Sequence, residues 1–190
     1  AGHIIQQADF AQHISRNLSG IEGNFAVVFE DQDRLFLGVD IIRSIPLFYR
    51  YSGNILMVSD DIRSLFSGAE VPPFDHHSAV EFATAGYVTG PHTLFSEIFA
   101  MQSGEYISWS PGETTPTAQR YYRYECLYDA ESTPEELCET LDAISLEAFR
   151  KIVESLDGRQ VIIPLSGGFD SRFIASGFKR IGYDNVICLS

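Results

Sequence analysis

Branched and aromatic residues alternate with polar ones in four short runs: Asn24–Asp31 (NFAVVFED), Arg34–Asp40 (RLFLGVD), Pro46–Tyr51 (PLFYRY) and Asn54–Asp60 (NILMVSD). Alternation with a period of two puts successive side chains on opposite faces of a strand, and these residue types suit a pleated, half-buried surface. The runs are separated by the turn-like triplets Asp31-Gln32-Asp33, Ile42-Arg43-Ser44 and Ser52-Gly53-Asn54. Four strands in close succession predict an antiparallel meander. A short helix is expected at Asp60–Phe66. Another is expected from about Ser78, where Ser78 and Glu81 have capping-box spacing and Gly86 marks a stop. Gly104–Ser110 (GEYISWS) reads as a further strand.

From Pro111 to Pro134 the chain loses any clear period and gathers prolines, threonines and the cluster Arg120-Tyr121-Tyr122-Arg123-Tyr124, which marks a linker. The period then changes to that of a helix. Thr133-Pro134-Glu135-Glu136 supplies a cap, a first-turn proline and a reciprocal glutamate. Leu137, Leu141, Ile144, Ala148, Ile152 and Leu156 step by three or four along one predicted face, and Asp157-Gly158 ends the helix. A buried strand over Gln160–Leu165, a glycine loop, a helix over about Ser171–Ile181 capped by Gly182, and a strand over Asn185–Leu189 complete a β-loop-α-β unit. Such a unit implies parallel strands joined by a right-handed crossover, with ligands at their carboxyl ends. The fold class is therefore α/β with an α+β first part. Its expected boundaries are 1–115, a linker at 116–132, and 133–190.

Composition narrows the function classes. With 190 residues, 45% of them apolar, the chain can bury a sizeable core. Thirteen basic against 26 acidic side chains give a net charge of -13, which repels a nucleic-acid backbone. Cys126, Cys138 and Cys188 are odd in number, widely spaced and without metal-ligand spacing, as suits a reducing compartment. Neither a membrane-spanning run nor a signal pattern is read in the sequence, so a cytoplasmic protein is expected.

The glycine loop carries the chemistry. Pro164-Leu165-Ser166-Gly167-Gly168-Phe169-Asp170-Ser171-Arg172 leaves a predicted strand and enters a predicted helix, so backbone N–H groups gather at the positive end of the helix dipole, where phosphate binds. Gly167 and Gly168 let the backbone come close, and the hydroxyls of Ser166 and Ser171 add donors. Asp170 would repel a bare phosphate, so it makes sense as the holder of a Mg²⁺ ion bridging to the phosphates. The loop lacks the Gly-Lys-Ser/Thr ending of a Walker motif. A tight strand-to-helix turn capped by Asp170 or Ser171 is the plainer reading of the same residues.

Ser166-Gly167-Gly168-Phe169-Asp170-Ser171 resembles the SGGxDS pyrophosphate loop (PP-loop) of the ATP pyrophosphatase superfamily, whose members adenylate a carboxylate or carbonyl and release pyrophosphate. In the first half, Gly23-Asn24-Phe25-Ala26, Asp40 with Pro46-Leu47-Phe48-Tyr49, Ser59-Asp60-Asp61-Ile62-Arg63-Ser64-Leu65, and Ala79–Trp109 resemble, in order, the late part of the glutaminase domain of asparagine synthetases. The resemblance runs from about Leu18 to Ser190. It implies part of an N-terminal-nucleophile glutaminase-like β-sandwich, two sheets between helices, followed by the start of a parallel-sheet PP-loop domain. The activity implied is ATP-dependent amide formation with ammonia taken from glutamine. The family's nucleophilic N-terminal cysteine, which its own α-amino group can activate, and its glutamine-holding arginine and Asn-Gly-Glu segments are expected to precede Ala1. No catalytic residue is therefore expected here, and the chain is expected to be an interior fragment of such an enzyme, itself inactive. The cofactors implied are ATP and Mg²⁺. Leu165, Ser166, Gly167, Gly168, Phe169, Asp170 and Ser171 form the cofactor-binding set, with Asp170 on the metal. The small-molecule partners implied are ATP, glutamine and a carboxylate such as aspartate; no nucleic acid or membrane partner is expected, and a homodimer is among the expected assemblies.

Three positions depart from the family pattern. Arg43 stands where the family has a glycine, Arg172 where a serine is usual, and Pro164 lies in a strand expected to be central. Arg172 adds a phosphate contact or alters the acceptor geometry, which puts aspartate as substrate in doubt. Other conspicuous residues take the plainer reading. His76-His77 sit at a solvated helix start, Arg120–Tyr124 pack between domains, Cys188 is core, and Asp40 caps a turn. Besides the asparagine synthetase type, two readings stay open: a synthetase similar to β-lactam synthetase whose glutaminase-like domain is a scaffold, and a non-catalytic interaction module. An RNA-thiolating relative is opposed by the charge.

Overall fold

Two hydrophobic core clusters in Ala1–Glu125 and a third in Cys126–Ser190 mark two compact units. The structure, a computed structural model, describes residues 13–31, 33–66, 71–126 and 131–190. Residues 1–12, 32 and 67–70 of the expected first domain, and 127–130 of the expected linker, lie outside the described residues.

In the first unit, α1 (Ile14–Ser19) precedes the strands β1 (Ala26–Asp31), β2 (Arg34–Val39), β3 (Phe48–Ser52) and β4 (Ile55–Ser59). A 3-10 turn at Ile62–Leu65, the helix α2 (His76–Ala85), and strands β5 (Phe99–Ala100), β6 (Glu105–Trp109) and β7 (Thr117–Arg120) follow. The strands sort into two antiparallel sheets, ordered β1-β2-β6-β7 and β4-β3-β5. The expected meander is therefore two hairpins, one in each sheet. The cause is the turn after Val39, which carries the chain from one sheet to the other.

Alternation along β2 explains the layering. Leu37 and Val39 join Leu47, Tyr49, Met101 and Ile107 in a core between the sheets. Phe36, on the opposite face, packs with Tyr106 against Ile14 and Leu18 of α1. Gly38 shares that face, and a Cβ there would stand 3.1 Å from both δ-carbons of Leu18, so the missing side chain lets the helix lie close to the sheet. Burying alternate residues from two stacked sheets is what holds a sandwich together.

Two further expectations about this unit change. The helix expected from Ser78 starts at His76, because Asp75 is its cap and accepts from the Ser78 N–H at 2.8 Å, while Ser78 itself is buried. Glu81 instead accepts from Thr89 N–H and Thr89 hydroxyl. Residues 117–120, read as linker, pair as β7 with β6. Their sequence, Thr-Ala-Gln-Arg, has one apolar residue and all four positions are exposed, so no hydrophobic period could announce this edge strand. Tyr121 follows it into the first unit, packing beside α1 and donating to the Val39 carbonyl at 2.7 Å. Arg120 and Tyr121 thus belong to the first unit's sheet layer.

The second unit contains α3 (Pro134–Leu156), β8 (Val161–Pro164), α4 (Phe169–Arg180) and β9 (Val186–Leu189). The α3 capping box is complete: Thr133 Oγ1 accepts from Glu136 N–H, and the Glu136 carboxylate accepts from Thr133 N–H. β8 and β9 pair in parallel from Val161↔Val186 to Pro164↔Leu189. Their core is Phe149, Ile163 and Phe178, with Val153, Leu156 and Val186 around it.

The inward face of α3 differs from the one expected. Leu137, Leu141, Ile144 and Ile152 are all exposed; of the expected stripe Leu156 packs inward, joined by Phe149 and Val153. Gly177 sets this rotation: a Cβ there would lie 2.1 Å from the Phe149 ring, so the ring occupies the space a side chain would need. Cys188, expected in the core, is exposed. It pairs with Ile163 in the β8–β9 ladder and lines a groove with Phe178, Lys179, Tyr183 and Val186. Among the described residues no helix is long and apolar enough to cross a membrane.

Candidate functional site

The glycine loop lies where β8 gives way to α4. Pro164 is the last residue of the β8 ladder, so its missing N–H falls at the end of the pairing, and Leu165 N–H resumes with a bond to the Leu189 carbonyl at 2.6 Å. Leu165 is half-buried against the Phe149–Ile163–Phe178 cluster and anchors the start of the loop. Gly167 then takes φ +74, a left-handed conformation that strains any residue with a Cβ. Gly168 is extended and caps α4 with no side-chain acceptor on the helix N–H groups.

Of the seven residues read as a binding set, the structure brings Ser166 and Ser171 together. Their hydroxyls lie 3.5 Å apart, and Ser166 N–H points to Ser171 Oγ at 3.4 Å. These contacts are long, which leaves both hydroxyls able to turn toward a ligand. Asp170 stands exposed in the first turn of α4 and accepts no hydrogen bond from the described residues. Phe169 is 84% exposed. The uncapped helix end, two hydroxyls and a free carboxylate make a donor set for phosphate oxygens with one anionic group beside it. Among the described residues no cluster of three or more His, Cys, Asp or Glu could hold a metal. A cation at Asp170 would accordingly take its other ligands from phosphate and water, as Mg²⁺ usually does.

Arg172 was legible as a departure but its contacts were not. Its Nε donates to the Gly168 carbonyl at 3.1 Å, and its guanidinium carbon lies 4.8 Å from the centre of the Phe169 ring. The i,i+3 spacing of an aromatic and an arginine on a helix was the available signal.

In the first unit, Asp40 is 2% exposed and ties several segments together. Its carboxylate accepts from the N–H groups of Phe25 (3.1 Å), Ile42 (2.9 Å) and Ser44, and from the Ser44 hydroxyl at 3.3 Å. Its carbonyl accepts from Arg43 and Gly104 N–H. Burial pushes the carboxyl up, but the donors from Ile42, Phe25 and Ser44 outweigh it and hold the group below its ordinary value. Arg43 takes φ 55, a left-handed conformation that favours glycine, and its Nη1 donates to the Met101 carbonyl at 3.0 Å. Glu105, missed in the sequence, is buried, and desolvation pushes its carboxyl up against the lowering effect of Gln102 N–H and Arg120. Burial and the Glu105 charge push the Tyr49 hydroxyl up to about 12.

A family model described as a glutamine amidotransferase domain matches residues 8–122, most of the first unit, while β8, the glycine loop and α4 lie beyond the match. A search of curated proteins gives no match. Since the matched span is more than half of the chain, and its described part forms the paired antiparallel sheets with Asp40 at their corner, the chain belongs to the glutamine amidotransferase domain family.

Proposed function

We propose that this chain carries part of an ATP-dependent amide-forming ligase of the asparagine synthetase type. Family membership makes it an amidotransferase-type protein, associated with glutamine-dependent amido transfer. The ATP half of the reading rests on one observation. Beyond the amidotransferase match, after the long helix α3, the chain forms a parallel β-α-β unit whose strand-to-helix loop presents an uncapped helix end, paired serine hydroxyls and an unengaged aspartate. A motif similar to the PP-loop of the ATP pyrophosphatases occupies that loop.

In this reading Ser166 and Ser171 hydroxyls and the first N–H groups of α4 bind the pyrophosphate portion of ATP. Gly167 shapes the loop so that the backbone can approach, and the half-buried side chain of Leu165 fixes its base. The donor set fits Mg²⁺·ATP: Asp170 would hold the ion, which would supply charge neutralisation for the phosphates. The carboxylate, such as that of aspartate, takes the AMP portion of ATP as pyrophosphate leaves, and ammonia from glutamine then attacks the acyl carbon and displaces AMP to give the amide; the compartment is cytoplasmic.

The test is pyrophosphate release by the intact native gene product with Mg²⁺·ATP, glutamine and a panel of carboxylates. Asp170→Asn is expected to lower the rate at least about a hundredfold by removing the metal ligand. The melting temperature should hardly move, since the side chain has no partner among the described residues. Equal rates in the two proteins would overturn the metal role, and absence of any ATP-dependent pyrophosphate release would overturn the ligase reading.

A further inference from the structure

We infer that Arg172 is a positioning residue for the proposed ATP loop, setting the loop backbone through the Gly168 carbonyl without touching the phosphates. The inference rests on the reading of Ser166–Ser171 as a pyrophosphate loop. Two contacts hold the side chain. Nε–H donates to the Gly168 carbonyl at 3.1 Å, and the guanidinium lies over the Phe169 ring with its carbon 4.8 Å from the centroid. Both turn the arginine back along the first turn of α4.

The consequence lies in the peptide that Arg172 grips. Gly168 caps α4 without any side-chain acceptor, and Gly167 just before it has a glycine's wide backbone freedom and adopts φ +74. As the N-cap, Gly168 offers its carbonyl to the first hydrogen bond of α4, and the Arg172 side chain adds a second donor to the same oxygen. The Gly168 carbonyl and the following N–H belong to one planar peptide group, so fixing the oxygen also fixes the direction of the Phe169 N–H. The cation over Phe169 holds the same residue from its side-chain end. Ser171, whose hydroxyl lies 3.5 Å from that carbonyl, completes the ring of contacts around Gly168.

This role makes a prediction that a direct phosphate contact does not. Arginine Nε and glutamine Nε2 are the same number of bonds from Cα, so Arg172→Gln keeps a donor for the Gly168 carbonyl and removes the charge. Arg172→Lys keeps the charge but puts a methylene where Nε was. Mg²⁺·ATP binding to the intact chain and both variants, measured by calorimetry over a range of salt, separates the cases. Positioning predicts that Arg172→Lys weakens binding about five- to tenfold, while Arg172→Gln stays within about threefold of the parent with the same salt dependence. The reverse order, with a shallower salt dependence in Arg172→Gln, means that the guanidinium contacts phosphate and overturns the inference.

Amide hydrogen exchange at Gly167–Asp170, measured without nucleotide, keeps this test apart from the function reading. Faster loop exchange in Arg172→Lys but not in Arg172→Gln supports the clasp, and unchanged exchange in Arg172→Lys overturns it whether or not nucleotide binds. A parent chain that binds no Mg²⁺·ATP while the clasp signature persists removes the ATP reading and leaves the loop's backbone control standing.

Discussion

Asp40 and Glu105 are both buried carboxylates of the first unit, yet their surroundings act in opposite senses. Asp40 collects several donors around one turn, whereas Glu105 has the Gln102 N–H at 2.7 Å and a largely desolvated setting beside Tyr49. The lowered Asp40 carboxyl contributes stability that is present above its ordinary value of 3.8 and is lost as pH falls through the lower folded value. The raised Glu105 carboxyl contributes stability that is fully present below 4.5 and is lost as pH rises through the raised folded value. Chemical denaturation across pH should therefore show the two variants diverging. Asp40→Asn is expected to cost about 1–3 kcal/mol at neutral pH, with the deficit shrinking in acid, because an amide cannot satisfy all those donors. Glu105→Gln is expected to match the parent below pH 4.5 and to become the more stable protein as pH rises. Parallel profiles for parent and variants would contradict both assignments. The role of Asp40 was readable because an aspartate after a strand and before a proline caps turns. Glu105 gave no sign, since burial of an alternating strand position depends on which sheet covers it.

At the scale of elements, the alternating pattern located β1, β2, β3, β4 and β6, because each has one face in a core. It did not assign them to sheets, because a turn that changes sheets looks like one that stays within a sheet. The α3 face went astray for a related reason. Leu137, Leu141 and Ile144 make the more regular stripe, but Phe149 fits the gap left by Gly177, and one aromatic ring in a matching hollow outweighs several smaller side chains. The glycine loop was legible as a strand-to-helix turn, with β8 ending at Pro164 and α4 starting after Gly168, since consecutive positions shape such a turn and it needs no distant partner. The α3–α4 contact gives a prediction against propensity. Alanine is favoured over glycine in a helix interior by about 1 kcal/mol. Gly177→Ala is nevertheless expected to destabilise by about 3 kcal/mol, because its Cβ would meet the Phe149 ring at 2.1 Å. Adding Phe149→Leu should recover part of the loss, a non-additivity readable in a double-mutant cycle.

For the whole molecule, the single tryptophan, Trp109, is a built-in reporter. It is buried in β6 of the first unit, with its indole N–H on the Glu113 carbonyl. Denaturation of Gly177→Ala followed by Trp109 fluorescence is expected to reproduce the parent's midpoint, while far-UV circular dichroism shows an earlier loss of helix from α3 and α4. An equal shift in both signals would mean that the two units unfold as one cooperative body. The order of strands in the first sheet also bears on how the protein is made. β2 pairs with β6, Leu35 opposite Trp109, although β3, β4, α2 and β5 all lie between them in the chain. While a ribosome is still delivering that intervening stretch, the nascent β1–β2 hairpin has one edge with no strand to receive it and an apolar face with nothing stacked on it. The cell's chaperones would meet this protein as a half-built sheet waiting for β6.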